Sequence, residues 1–200
     1  VGYGDSEFLI HVEHRDAVDP LVLLSNLNSF AFDYLARSKI GGTNVNFYLL
    51  KQLPILPPSM SMPSEAIARR VSELSFTAWD APAIVDASGG AGSRSHERRG
   101  ACFPWDDERR FWLRAELDAI YFHLYGISRD DVDYILETFP IVKRKDEAEY
   151  GCHRTKLAIL EVYDEMARCR AEGREYQTRL DPSPAHPSLA HDLGTRPEWA

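Results

Sequence analysis

The histidines, cysteines and paired carboxylates of this chain are the side chains that could do chemistry, and their spacing limits what they can do. His11 and His14 stand three apart, and Cys152 immediately precedes His153. A structural zinc ion needs four converging ligands, commonly two close pairs, and no further pair is spaced to complete such a set. The simpler reading is surface or loop histidines and an inert cysteine. Asp106-Asp107-Glu108 and Asp130-Asp131 supply neighbouring carboxylates. Acids in a first helical turn are explained by capping and by the helix dipole. There is no Gly-x-Ser-x-Gly elbow, and no cysteine sits in an activating context. Gly89-Gly90-Ala91-Gly92 lacks the following lysine and the preceding apolar strand of a phosphate-binding loop, so it reads as linker.

Two motifs of amino-group methylation are also missing: a Gly-rich turn after a first strand, and an Asn/Asp/Ser-Pro-Pro-aromatic loop. The Pro57-Pro58 pair lies between Leu56 and Ser59, which cannot perform that loop's hydrogen bonding. The best candidate for function is the segment Arg37 to Asn46. Arg37 and Lys39 bring charge, Gly41 and Gly42 permit close backbone approach, and Thr43, Asn44 and Asn46 offer donors and acceptors. Lys51 and the basic run Lys143, Arg144, Lys145 extend this set of candidate DNA contacts. The competing reading of the same segment is a glycine helix terminus followed by a strand.

The elements that position these residues follow from periodicity. Glu7 to Glu13 alternates weakly, as a short strand does. Asp19-Pro20 opens a helix that carries Leu24, Leu27, Ala31, Tyr34 and Leu35 on one face and runs to Gly41-Gly42. Thr43 to Leu50 reads as a strand, stopped by Pro54, Pro57 and Pro58. A helix follows over 64–79, then a Gly- and Arg-rich linker over 80–100. Asp106 caps a helix over 107–125 with the stripe Leu113, Leu117, Ile120, Tyr121 and Leu124, closed by Gly126. Ser128 caps a short helix ending before Pro140, and a last long helix covers 154–172. After Gly173 the prolines at 182, 184, 187 and 197 predict an extended or disordered tail.

The expected fold is therefore mainly α with a small β element, an α+β chain with short strands around 7–13 and 43–50. Four units are expected: 1–79, a linker over 80–100, a helical domain over 101–173, and the tail 174–200. Three cysteines at unpaired spacings argue against a disulfide framework and fit a reducing cytoplasm. No apolar run is long enough for a membrane span. A start at Val1 suggests a piece of something longer. The net charge of -8 is unusual for an autonomous DNA binder. The charge is uneven, however. Residues 34–64 contain no acid, whereas 101–173 hold 16 acids against 11 bases.

The stretch Leu24 to Pro58, with its helix, Ile40-Gly41-Gly42-Thr43 turn and Leu53-Pro54-Ile55-Leu56-Pro57-Pro58 exit, resembles the C-terminal region of type IIG restriction–modification enzymes and related adenine-specific DNA methyltransferases of phage defence. Trp105 to Arg110, Arg114 to Ala119, Leu124 to Asp130 and Tyr134 to Pro140 resemble the helical segment that follows, and Tyr176 to Pro187 fits the tail. The resemblance implies a bacterial parent that moves a methyl group from S-adenosylmethionine to adenine in double-stranded DNA after extruding the base. It implies that this chain recognises DNA and supports an upstream methyltransferase domain. With no cofactor or catalytic motif of its own, the fragment should not methylate alone. The alternative is a non-catalytic helical module that binds another protein.

Overall fold

A computed structural model describes residues 18–41, 47–57, 62–78 and 102–191. Within them the chain is helical: α1 (Asp19–Leu27), α2 (Phe30–Arg37), α3 (Phe47–Leu50), α4 (Ser64–Ser75), α5 (Asp107–Leu124), α6 (Arg129–Glu137), α7 (Pro140–Tyr150) and α8 (Arg154–Ala171), with a short 3-10 turn at Pro187–Leu189. No strand occurs among the described residues. The expected small β element is thus corrected. Residues 47–50 form one helical turn where a strand over 43–50 was expected, because Leu49 and Leu50 carbonyls accept the N–H groups of Gln52 and Leu53 and close the chain on itself. Residues 43–46 and the strand expected over 7–13 lie outside the described residues.

Each helix begins and ends where local chemistry allows. Asp106 accepts the Arg109 N–H, and Ser128 accepts that of Asp131, so α5 and α6 start at the expected caps. Gly126 and Gly173 follow the ends of α5 and α8 at positive φ, the region glycine reaches at least cost. The single helix expected from Asp19 to Gly41 is instead two. Ser29 breaks it: its hydroxyl accepts the Phe32 N–H and donates to the Asn26 carbonyl, capping α2 while closing α1. The helix expected over 64–79 stops at Ser75, and the Lys143-Arg144-Lys145 run lies inside α7 rather than after a helix.

The core is built on α5. It packs along α8 and also meets α2 and α4, while α1 packs on α4, and α6 and α7 pack on α8. Val22, Ile67, Val71, Leu117, Tyr121, Phe122, Val132, Leu136 and Ile159 join in one buried cluster. Segments on both sides of residues 79–101 therefore share one hydrophobic core. Burying each large side chain is worth roughly 1.5–3 kcal/mol.

Two polar networks run through this core. Glu116, fully buried on α5, accepts from Arg70 of α4 (2.8 Å), Tyr176 (2.9 Å), Thr178 (2.8 Å) and the Arg179 N–H (3.2 Å). Glu73 of α4 pairs with Arg109 and accepts the Ala185 N–H, while Arg109 also donates to the Pro182 carbonyl. The tail up to His191 is irregular but held to the helices by these bonds.

Candidate functional site

The described helices leave a cleft of about 730 Å³ between the α1–α2 junction, the end of α4, one side of α5 and the facing parts of α7 and α8. Its walls include the apolar Leu24, Phe30, Phe111, Leu117, Val142 and Ile159. The cations Arg110, Arg114 and Lys145 and the acids Asp118 and Asp146 also line it. The break at Ser29 makes this space. A continuous helix through Asn28 and Ser29 would carry α2 straight on from α1 and leave the side of α5 without this flank.

Each charged group is fixed differently. The Arg110 guanidinium lies 3.7 Å from the Trp105 ring centroid and donates to the Leu74 carbonyl at 2.9 Å, while its buried Nε has no partner among the described residues. Burial disfavours its charged form and lowers its pKa from the usual arginine value. Arg114 and Lys145 are exposed and form no hydrogen bond or ion pair among the described residues. Asp118 is almost fully buried; its Oδ1 accepts the Phe30 N–H at 2.8 Å, and no described donor reaches Oδ2. Burial pushes its carboxyl up to about 7, against the opposing pull of that N–H and of Arg114. Asp146 accepts the Thr155 N–H at 2.6 Å, fastening α7 to the start of α8.

The residues expected to contact DNA are partly brought together. Arg37 ends α2, pairs with Asp33 at 2.7 Å and stacks on the Phe139 ring at 4.4 Å. Phe139 caps α7, whose first turn carries Lys143. Arg37 thus touches the residue at the start of the helix that carries the second basic segment, about a hundred positions on in sequence. Lys143 is neutralised by Glu137 at 2.7 Å, and Lys156 holds the same carboxylate. These two lysines hold Glu137 well below its usual range, at about 2. Lys39, Lys51, Arg144 and Lys145 are exposed. Gly41 is exposed too, and a Cβ there would meet open space, so packing within the chain does not demand glycine. Gly42, Thr43, Asn44 and Asn46 lie outside the described residues.

No protein-family model, curated protein or solved structure matches this chain.

The other expected chemistry is located as follows. His11 and His14 lie outside the described residues. His153 is the first residue before α8, beside the exposed Cys152; its ring is buried, neither nitrogen forms a hydrogen bond among the described residues, Nδ1 lies 3.9 Å from Glu137, and burial lowers its basicity. Among the described residues no three His, Cys, Asp or Glu side chains cluster as metal ligands, and no helix is long and apolar enough to cross a membrane. Sequence reasoning missed Arg110, Arg114 and Asp118. On α5 they recur at four-residue steps, 110, 114 and 118, so they share a face; that periodicity was the available signal.

Proposed function

We propose that this chain is a non-catalytic part of an adenine-specific DNA methyltransferase or restriction–modification enzyme, contacting DNA and supporting the domain that binds S-adenosylmethionine. The proposal rests on the residue pattern over 24–58, 105–140 and 176–187. The observation that best supports a DNA-facing role is the meeting of Arg37 with the start of α7 at Phe139. It brings the acid-free stretch beside the Lys143-Arg144-Lys145 helix, so separated cations can act on one polyanion. The role is support because the cations at the junction, Arg37 and Lys143, are already paired with Asp33 and Glu137. They fix geometry, while exposed Lys39 and Arg144 are left to meet phosphate.

Titrating the 200-residue chain into labelled duplex DNA over about 50 to 200 mM salt tests this. Binding should weaken in the double substitution Lys39→Ala, Arg144→Ala. The slope of log affinity against log salt should fall by about 0.9 for each lost phosphate contact. Identical slopes for the two proteins, or no binding at the lowest salt, would reject the DNA-contacting role. A protein-docking role is favoured instead by the exposure of Tyr134 and Ile141, 62% and 60%, on neighbouring α6 and α7. Under that reading salt has little effect, and Tyr134→Ser with Ile141→Ser abolishes capture of the methyltransferase domain.

A further inference from the structure

The cleft against α5 has a composition that the DNA-contacting role does not require. A plain anion site needs cations and little volume. This one has about 730 Å³, within the range of small-molecule pockets, and walls that are largely apolar. A fatty acid would satisfy the volume and the cations, but would lay its chain against Asp118 and Asp146. One oxygen of Asp118 takes no hydrogen bond from a described donor, and covering it with hydrocarbon is unfavourable. A cationic ligand would face Arg110, Arg114 and Lys145. What remains is a molecule with an anionic end, a flat or apolar body, and a hydrogen-bonding edge that a carboxylate can meet.

We propose that this cleft binds a nucleoside monophosphate, with Arg114 and Lys145 on the phosphate and the free Oδ2 of Asp118 on an N–H of the base. Arg114 and Lys145 are exposed and form no ion pair among the described residues, whereas Asp118 is buried. Arginine and lysine form charge-assisted bonds with phosphate oxygens. The ionised aspartate, present above about pH 7, accepts from an exocyclic amino group or ring N–H, so the titrations are run at about pH 8. Leu24, Phe30 and Phe111 supply the apolar surface for the ring system. Asp118 lines this space, and the Phe30 N–H occupies one of its oxygens while no described donor reaches the other. Lys145 is a candidate contact in both roles, so the two are separated at Arg114 and Asp118 for the nucleotide and at Lys39 and Arg144 for DNA.

Calorimetric titration of the full chain with AMP and with GMP, up to about 5 mM, tests the proposal, since that range reports Kd values near 1 mM. One nucleotide should bind, with the Phe30 amide signal moving in parallel in a ¹⁵N-resolved NMR titration. Arg114→Ala and Lys145→Ala, both at exposed positions, should each weaken binding about tenfold. Asp118→Asn should weaken it several-fold without loss of the folded signal. Inorganic phosphate and adenosine alone should bind more weakly than the nucleotide. The proposal is overturned if neither nucleotide binds, if inorganic phosphate binds as tightly, or if the three variants bind like wild type. Short duplex DNA in place of nucleotide separates the two roles: its binding should persist in Arg114→Ala and Asp118→Asn.

Discussion

Asp118 shows how a single residue can oppose the fold that contains it. Its carboxyl is buried and pushed up to about 7, whereas in an unfolded chain it ionises near the ordinary value of 3.8. Between those two values the folded protein holds a proton that the unfolded chain releases. Stability from this group is therefore greatest below about pH 4 and is lost as pH rises through about 7. Asparagine keeps an oxygen for the Phe30 N–H and carries no charge. Asp118→Asn should raise stability at pH 8 by up to about 4 kcal/mol and change it little at pH 4. Urea melts at the two pH values decide this, and an equal effect at both would show that the burial cost is not electrostatic. Glu137 has the opposite sign. Lys143 and Lys156 hold it at about 2, so its contribution is present above the usual carboxylate range and fades as pH falls toward 2.

At the scale of elements, Ser29 does the most with the fewest atoms. Its hydroxyl both caps α2 and ties back to Asn26, and the neighbouring Asn26 side chain accepts from Leu56 and donates to Tyr125, each near 3 Å. Ser29→Ala should cost about 1 kcal/mol and loosen the α1–α2 corner, seen as a lower Tm and faster amide exchange at Phe32. This corner marks where the sequence was hard to read. The apolar residues from Leu24 to Leu35 keep a helical period across the break, and Ser and Asn are tolerated within helices, so nothing local reveals a cap. Where strong punctuation coincides with periodicity, as with Asp106, Ser128, Gly126 and Gly173 around α5, α6 and α8, the helices fall where expected. At residues 47–50, aromatic and branched neighbours suggested a strand, but an isolated strand with no partner leaves its N–H and C=O groups unpaired, and a helical turn satisfies them locally. The basic residues of the candidate DNA surface were visible as composition. The contact of Arg37 with Phe139 was not, because sequence carries no signal for a contact between residues a hundred positions apart. The α5 face of the cleft was present as a four-residue spacing, but its ordinary helical period concealed it.

Across the whole molecule, Glu116 links the tail to the body. It is fully buried, and its partners come from α4 and three positions of the tail, so one carboxylate fixes three parts of the chain. A buried ion pair is not a large net stabiliser against a well-packed apolar substitute, but removing one partner leaves the other charged and alone. Glu116→Ala should cost about 3–5 kcal/mol by stranding Arg70, while Tyr176→Phe should cost about 1 kcal/mol. Denaturant unfolding would show both, and limited proteolysis should cut first between Tyr176 and His191 in the alanine variant. Similar losses for both substitutions would mean that the tail is held by surface contact and not by this carboxylate.

The Phe103 N–H donates to the Phe76 carbonyl at 2.7 Å, and the Cys102 carbonyl accepts the His191 N–H at 2.8 Å. The described segments on either side of residues 79–101 are thus tied to each other backbone to backbone. Closing a chain excursion becomes only about 0.6 kcal/mol harder each time its length doubles. A connection lengthened between Phe76 and Phe103 should therefore add little closure cost at this tie, which the Tm of a chain carrying a Gly-Ser insertion there would measure.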